Sequence, residues 1–134
     1  QQIIDILFNN TVNLRKTVVL EEKPDVEPQE GEGEVFFEKY QPSKVTIQTK
    51  NVVPKLLFLS DVFDEGWKAF VDRKEVPVYR ANYAFRAVAI PSGAHSVVFV
   101  YRPRSFQTGI TLWLFSFTLL AVVVVRKYYE NRNI

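Results

Sequence analysis

A single histidine, His95, and three nearby carboxylates, Asp61, Asp64 and Glu65, are the groups in this 134-residue chain best suited to acid–base or metal chemistry. A Ser-His-Asp mechanism would have to run through His95, which follows the turn residues Pro91-Ser92-Gly93 at the start of a strand-like segment. Such a mechanism needs a nucleophile within hydrogen-bond reach, and no nucleophile motif lies nearby. A structural or solvent-exposed role accounts for His95 better. Oxygen ligands like Asp61, Asp64 and Glu65 suit Ca²⁺ in a loop, but their spacing fits no established calcium loop, and polar residues capping strands need no metal. The chain has no cysteine, which excludes disulfides and thiolate metal sites. The expectation is no catalytic residue, no cofactor and no metal.

Two further sets of side chains have binding chemistry. Trp67, Phe70, Tyr79, Tyr83 and Phe85 fall in one strand-turn-strand region. Flat aromatic faces stack on sugar rings, so Trp67, Tyr79, Tyr83 and Phe85 are candidate glycan contacts. The competing reading is core packing, since each such ring buries about 150 to 250 Å². Arg80, Arg86, Arg102 and Arg104 could pair with phosphate in a bidentate way. Arg102 and Arg104, nearest the apolar C-terminal run, are the better candidates for lipid or phosphate contact; snorkelling toward water is the simpler account.

That run, Ile110 to Val125, has sixteen residues without a charge or a proline and ends at Arg126-Lys127-Tyr128-Tyr129. As a helix it covers about 24 Å, short of the roughly 30 Å hydrocarbon core, and Phe106, Thr108, Gly109 and Tyr128 close the gap. It is too long for one strand, and the preceding β-domain could hardly enclose it as a buried helix. A membrane span over 105–129 is expected, with a cytoplasmic tail at 130–134. Arg126, Lys127 and Arg132 after the span against Arg102 and Arg104 before it tip the positive-inside comparison narrowly toward an extracytoplasmic domain.

Before the span the pattern is that of short strands. Gln1 to Phe8 suits a short helix, giving a lead-in over 1–16. Thr17 to Leu20 reads as a strand, and the acidic stretch Glu21 to Glu34, with Pro24, Pro28, Gly31 and Gly33, as a mobile loop. Val35 to Tyr40 and Val45 to Thr49 flank Gln41-Pro42-Ser43 and can pair. Leu56 to Ser60, apolar on both faces, reads as a central strand or one side of a sandwich core. Trp67 to Val71 and Val76 to Tyr79 flank Asp72-Arg73-Lys74-Glu75 as a hairpin with a four-residue loop. Phe85 to Ile90 and Ser96 to Tyr101 complete seven or eight strands at sandwich spacing. The fold class is all-β: a small antiparallel β-sandwich over 17–104, followed by one C-terminal transmembrane α-helix. With Gln1 in place of an initiator Met and no leader, the chain is expected to be a piece of a longer protein or a processed product.

Several ordered strings then carry a resemblance: Leu59-Ser60-Asp61, Gly66-Trp67-Lys68-Ala69-Phe70-Val71-Asp72, Tyr79-Arg80-Ala81-Asn82-Tyr83-Ala84-Phe85-Arg86-Ala87, Pro91-Ser92-Gly93-Ala94-His95 and Tyr101-Arg102-Pro103. In this order, over about Val35 to Gly109, the chain resembles the C-terminal region of YfhO-type bacterial integral membrane proteins. It departs from their pattern at Arg73, where the family hairpin usually has glycine, and a longer or differently shaped turn is expected there. The resemblance implies a multi-span parent, similar to glycosyltransferases that use lipid-linked sugars, with the sandwich outside the cytoplasm. Catalytic carboxylates would then lie in loops near amino-terminal spans that this chain lacks, and the sandwich would be noncatalytic, binding or orienting a glycan acceptor. The partners so implied are the lipid bilayer, the parent's remaining transmembrane helices and a glycan or lipid-linked sugar; no nucleic acid is expected. Gly109, Thr111, Ser116 and Thr118 are candidates for helix contacts. Alternatives are a purely structural module, a single-span surface carbohydrate-binding protein, and a hydrolase using His95.

Overall fold

A computed structural model describes residues 17–132 together with Ile4, Asp5 and Asn13. The helical lead-in expected over 1–16 otherwise lies outside the described residues. Two compact units divide the chain, Gln1–Arg102 and Pro103–Ile134.

The first unit holds eight strands: β1 (Gly33–Gln41), β2 (Lys44–Asn51), β3 (Lys55–Val62), β4 (Trp67–Val71), β5 (Lys74–Val76), β6 (Tyr79–Ala81), β7 (Phe85–Ile90) and β8 (Gly93–Tyr101). All pairings are antiparallel, in a five-stranded sheet ordered β1-β2-β8-β4-β5 and a three-stranded sheet ordered β3-β7-β6. Alternate residues of the two sheets face each other. Val45, Ile47, Ala69, Val71, Val97 and Phe99 come from the larger sheet and Leu57, Leu59, Val88 and Ile90 from the smaller, in one core cluster. The all-β sandwich followed by a helix is therefore as the patterning predicts.

Three local expectations are corrected. The run Val76 to Tyr79 is not one strand. Pro77, which has no N–H for a ladder, separates β5 from β6, and the two strands belong to different sheets. The hairpin before it has a two-residue turn rather than four. Val71 pairs with Lys74, and Asp72 and Arg73 adopt φ of 50° and 72°, the left-handed pattern of a type I′ turn that matches strand twist. An arginine thus accepts a left-handed backbone that glycine adopts more readily. Lastly, of the two readings of Leu56 to Ser60, the central strand fails, since β7 is central and β3 lies at the sheet edge; β3 instead gives Leu57 and Leu59 to one side of the sandwich core.

The outer face of β3, apolar in sequence, is covered by the chain that precedes β1. Thr17 to Leu20 is not a strand, and only Leu20 bridges to Ala81. Val19 donates its N–H to Asn82 Oδ1 and accepts the Asn82 N–H. Farther on, the Asp25 N–H donates to the Tyr79 hydroxyl, the Gln29 N–H to the Pro54 carbonyl, and Lys55 Nζ to the carbonyls of Gln29 and Gly31. These bonds make the acidic segment a strap along the smaller sheet.

The second unit is one helix, α1 (Arg104–Arg132), the one helix among the described residues long and apolar enough to cross a membrane. Its 29 residues span about 43 Å, more than the hydrocarbon core requires. Its hydroxyls bond within the helix: Thr108, Thr111, Ser116 and Thr118 donate to the carbonyls of Arg104, Gln107, Leu112 and Leu114.

Candidate functional site

The residue pattern of β7, Phe85-Arg86-Ala87-Val88-Ala89-Ile90, sends Arg86, Val88 and Ile90 to the inter-sheet face. Arg86 is 2% exposed, a buried cation rather than a surface phosphate ligand. Its Nη2 lies 2.7 Å from Asp61 Oδ2, and its Nη1 donates to the Val62 carbonyl at 3.1 Å. Asp61 reaches it because β3 loses register with β7 between Leu59 and Val62. From the opposite sheet the Trp67 ring lies over the guanidinium at 3.9 Å, and Phe99 approaches at 5.4 Å. Tyr40 of β1 donates its hydroxyl to Asp61 Oδ1 at 2.7 Å. Desolvation lowers the Arg86 pKa, which Asp61 opposes; the bond to Asp61 is the main cause that raises Tyr40. One buried nitrogen, Arg86 Nε, has no partner.

His95 is held just as firmly, and for structure. Its Nδ1 lies 2.6 Å from Asp72 Oδ2 and its Nε2 3.1 Å from the Ser92 carbonyl. Both neighbours only accept, so the ring satisfies them by donating from both nitrogens, as imidazolium does. The bond to Asp72 raises the His95 pKa, and the same bond, with the Ser96 N–H donating to Asp72 Oδ1, lowers that of Asp72. Among the described residues no hydroxyl is bonded to either ring nitrogen. Asp64 caps the entry to β4, its Oδ1 accepting the Gly66 N–H at 2.7 Å. Among the described residues no three His, Cys, Asp or Glu side chains are grouped to hold a metal.

The candidate glycan aromatics are distributed over both sheets. Trp67, in the larger sheet, is half-buried, with one face taken by Arg86 and Tyr101 at 5.1 Å. Tyr79 is buried under the strap. Phe85 is half-buried and meets Phe58 edge-to-face at 5.6 Å. Tyr83 is different: its residue is 52% exposed, in the turn between β6 and β7, with φ of 69° beside Asn82 at 46°. A bulky residue in the left-handed region is strained by about 1–3 kcal/mol. Asn82, bonded twice to Val19, anchors that turn. Arg102 and Arg104 are exposed and have no side-chain partner among the described residues, whereas Arg80 stacks on Phe63 at 4.7 Å and faces Glu21 at 3.7 Å. The strain at Tyr83 and the burial of Arg86 had no sequence signal beyond an arginine within an apolar strand and a bulky residue after asparagine.

Residues 29–113, well over half of the chain, match the sequence family described as Bacterial membrane protein YfhO. No curated protein and no solved structure matches the chain.

Two outcomes follow from the charged pairs. Asp61→Asn leaves Arg86 buried without its counterion and should destabilise the sandwich by about 3 kcal/mol, while Arg86→Met added to it should restore part of that loss; denaturant titration of the single and double variants reads the difference. The Asp72–His95 bond contributes in full below pH 6.5, the unshifted histidine value, and fades as pH rises through the raised pKa of folded His95. At the acid end Asp72 contributes above pH 3.8 and loses its share as pH falls through its lowered pKa. Unfolding midpoints measured against pH should therefore decline on the alkaline side in the parent chain and lose that slope in His95→Gln.

Proposed function

The chain belongs to the YfhO family of bacterial membrane proteins, and on that premise we propose that its β-sandwich is a noncatalytic extracytoplasmic module that binds or orients a glycan acceptor for its parent protein. The observation that carries the reading is Tyr83. An exposed tyrosine ring kept in a strained left-handed backbone, on a turn pinned by Asn82 to Val19, is a rigid aromatic face offered to solvent at a cost in stability. Phe85, two residues on in sequence, is its companion among the candidate aromatics. The acceptor class comes from the lipid-linked-sugar chemistry that the family resemblance implies. Exposed, unpartnered Arg102 and Arg104 suit phosphate of lipid headgroups, and the basic residues Arg126, Lys127 and Arg132 favour a cytoplasmic C-terminus.

A second reading, a purely structural module, is favoured by the occupied face of Trp67 and the burial of Tyr79. Removing 35–101 would then lower the amount of parent protein without changing activity per molecule. The substitution Tyr83→Gly separates the two. Glycine relieves the left-handed strain, so stability should hold or rise by about 1 kcal/mol. Binding of envelope glycans, titrated on the full chain in lipid nanodiscs, should be lost; unchanged binding, or none in the unaltered chain, removes the acceptor role.

A further inference from the structure

A cavity of about 530 Å³ opens between the strap and the β4–β5 hairpin, within the range of small-ligand sites. Val26, Val71, Val76, Pro77, Ala89 and Pro91 supply its apolar walls. Of the charged groups around it, two are already engaged: Asp72 by His95 and Ser96, and Glu75 by Lys68 at 2.8 Å. Two are not. Asp25 on the strap and Lys74 on the hairpin line the cavity, and neither side chain has a partner among the described residues. They carry opposite charges. Tyr79, 5% exposed, closes the inner wall; its hydroxyl accepts the Asp25 N–H at 2.9 Å, and its own proton has no acceptor among the described residues.

We propose that this cavity binds a short apolar peptide with both ends free. The aliphatic walls take the side chains, Asp25 pairs with the terminal ammonium, Lys74 with the terminal carboxylate, and the Tyr79 hydroxyl donates to a peptide carbonyl. Each free charge then gains a charge-assisted partner, and the apolar surface leaves water. The assignment is independent of the acceptor role of Tyr83, which lies on the turn between β6 and β7 and does not line this cavity.

Leucyl-leucine is the probe, added to the full chain in lipid nanodiscs while the ¹³C-methyl resonance of Ala89 is followed. A saturable shift is expected. N-acetyl-leucyl-leucine, which lacks the ammonium, and leucyl-leucine amide, which lacks the carboxylate, should each bind about tenfold more weakly. Asp25→Asn should erase the preference over the acetylated peptide, Lys74→Gln the preference over the amide, and Ala89→Leu should block binding by filling the wall. The two charge changes are at exposed positions and leave the fold intact, so they decide the matter even if Ala89→Leu fails to fold. No saturable shift, equal affinity for the three peptides, or discrimination that survives both charge variants overturns the assignment.

Discussion

One guanidinium between two sheets sets the terms for the rest of the sandwich. Arg86 cannot remain charged at 2% exposure without a counterion, so β3 must break register to deliver Asp61, and β1 must bring Tyr40 to the carboxylate's other oxygen. The opposite sheet contributes too, since Trp67 and Phe99 take the cation's face. Strands of both layers are thereby committed to one charge. A slip of β7 by one residue would send Arg86 outward and place Ala87 against the core, so the pair specifies register more than it adds stability.

The strap shows how the smaller sheet survives with three strands. Its outer face carries the hydrophobic residues Leu56, Phe58 and Ala87. Hydrogen bonds between 19–31 and β3, β6 and the Asn82 turn, from backbone and side chains alike, lay an acidic, proline-bearing segment over that face. Prolines suit the task, since such a cover needs no ladder of its own.

Much of the fold was legible in the chain. Trp67–Val71 and Phe85–Ile90 stand where residue pattern and turn residues put them: Gly66 and Asp72 bound the first, Asn82 and Pro91 flank the second, and each turns apolar side chains to the core. The misreadings have a common cause: they concern residues whose conformation is settled by distant partners. Thr17 to Leu20 has strand-forming side chains, but its long-range bonds run to Asn82 and Ala81 and build no ladder. Val76 to Tyr79 looked continuous, and Pro77 alone sends its halves to different sheets. At the candidate site, the aromatic residues were visible by type. What distinguishes Tyr83 from Trp67 is backbone strain on one and a covering cation on the other, neither of which spacing encodes.

The hydroxyl pattern of α1 bears on how the protein is made. With Thr108, Thr111, Ser116 and Thr118 each bonded to its own helix one turn back, these four hydroxyls are satisfied without a neighbour. Such a helix can pass into lipid without a partner to satisfy these hydroxyls.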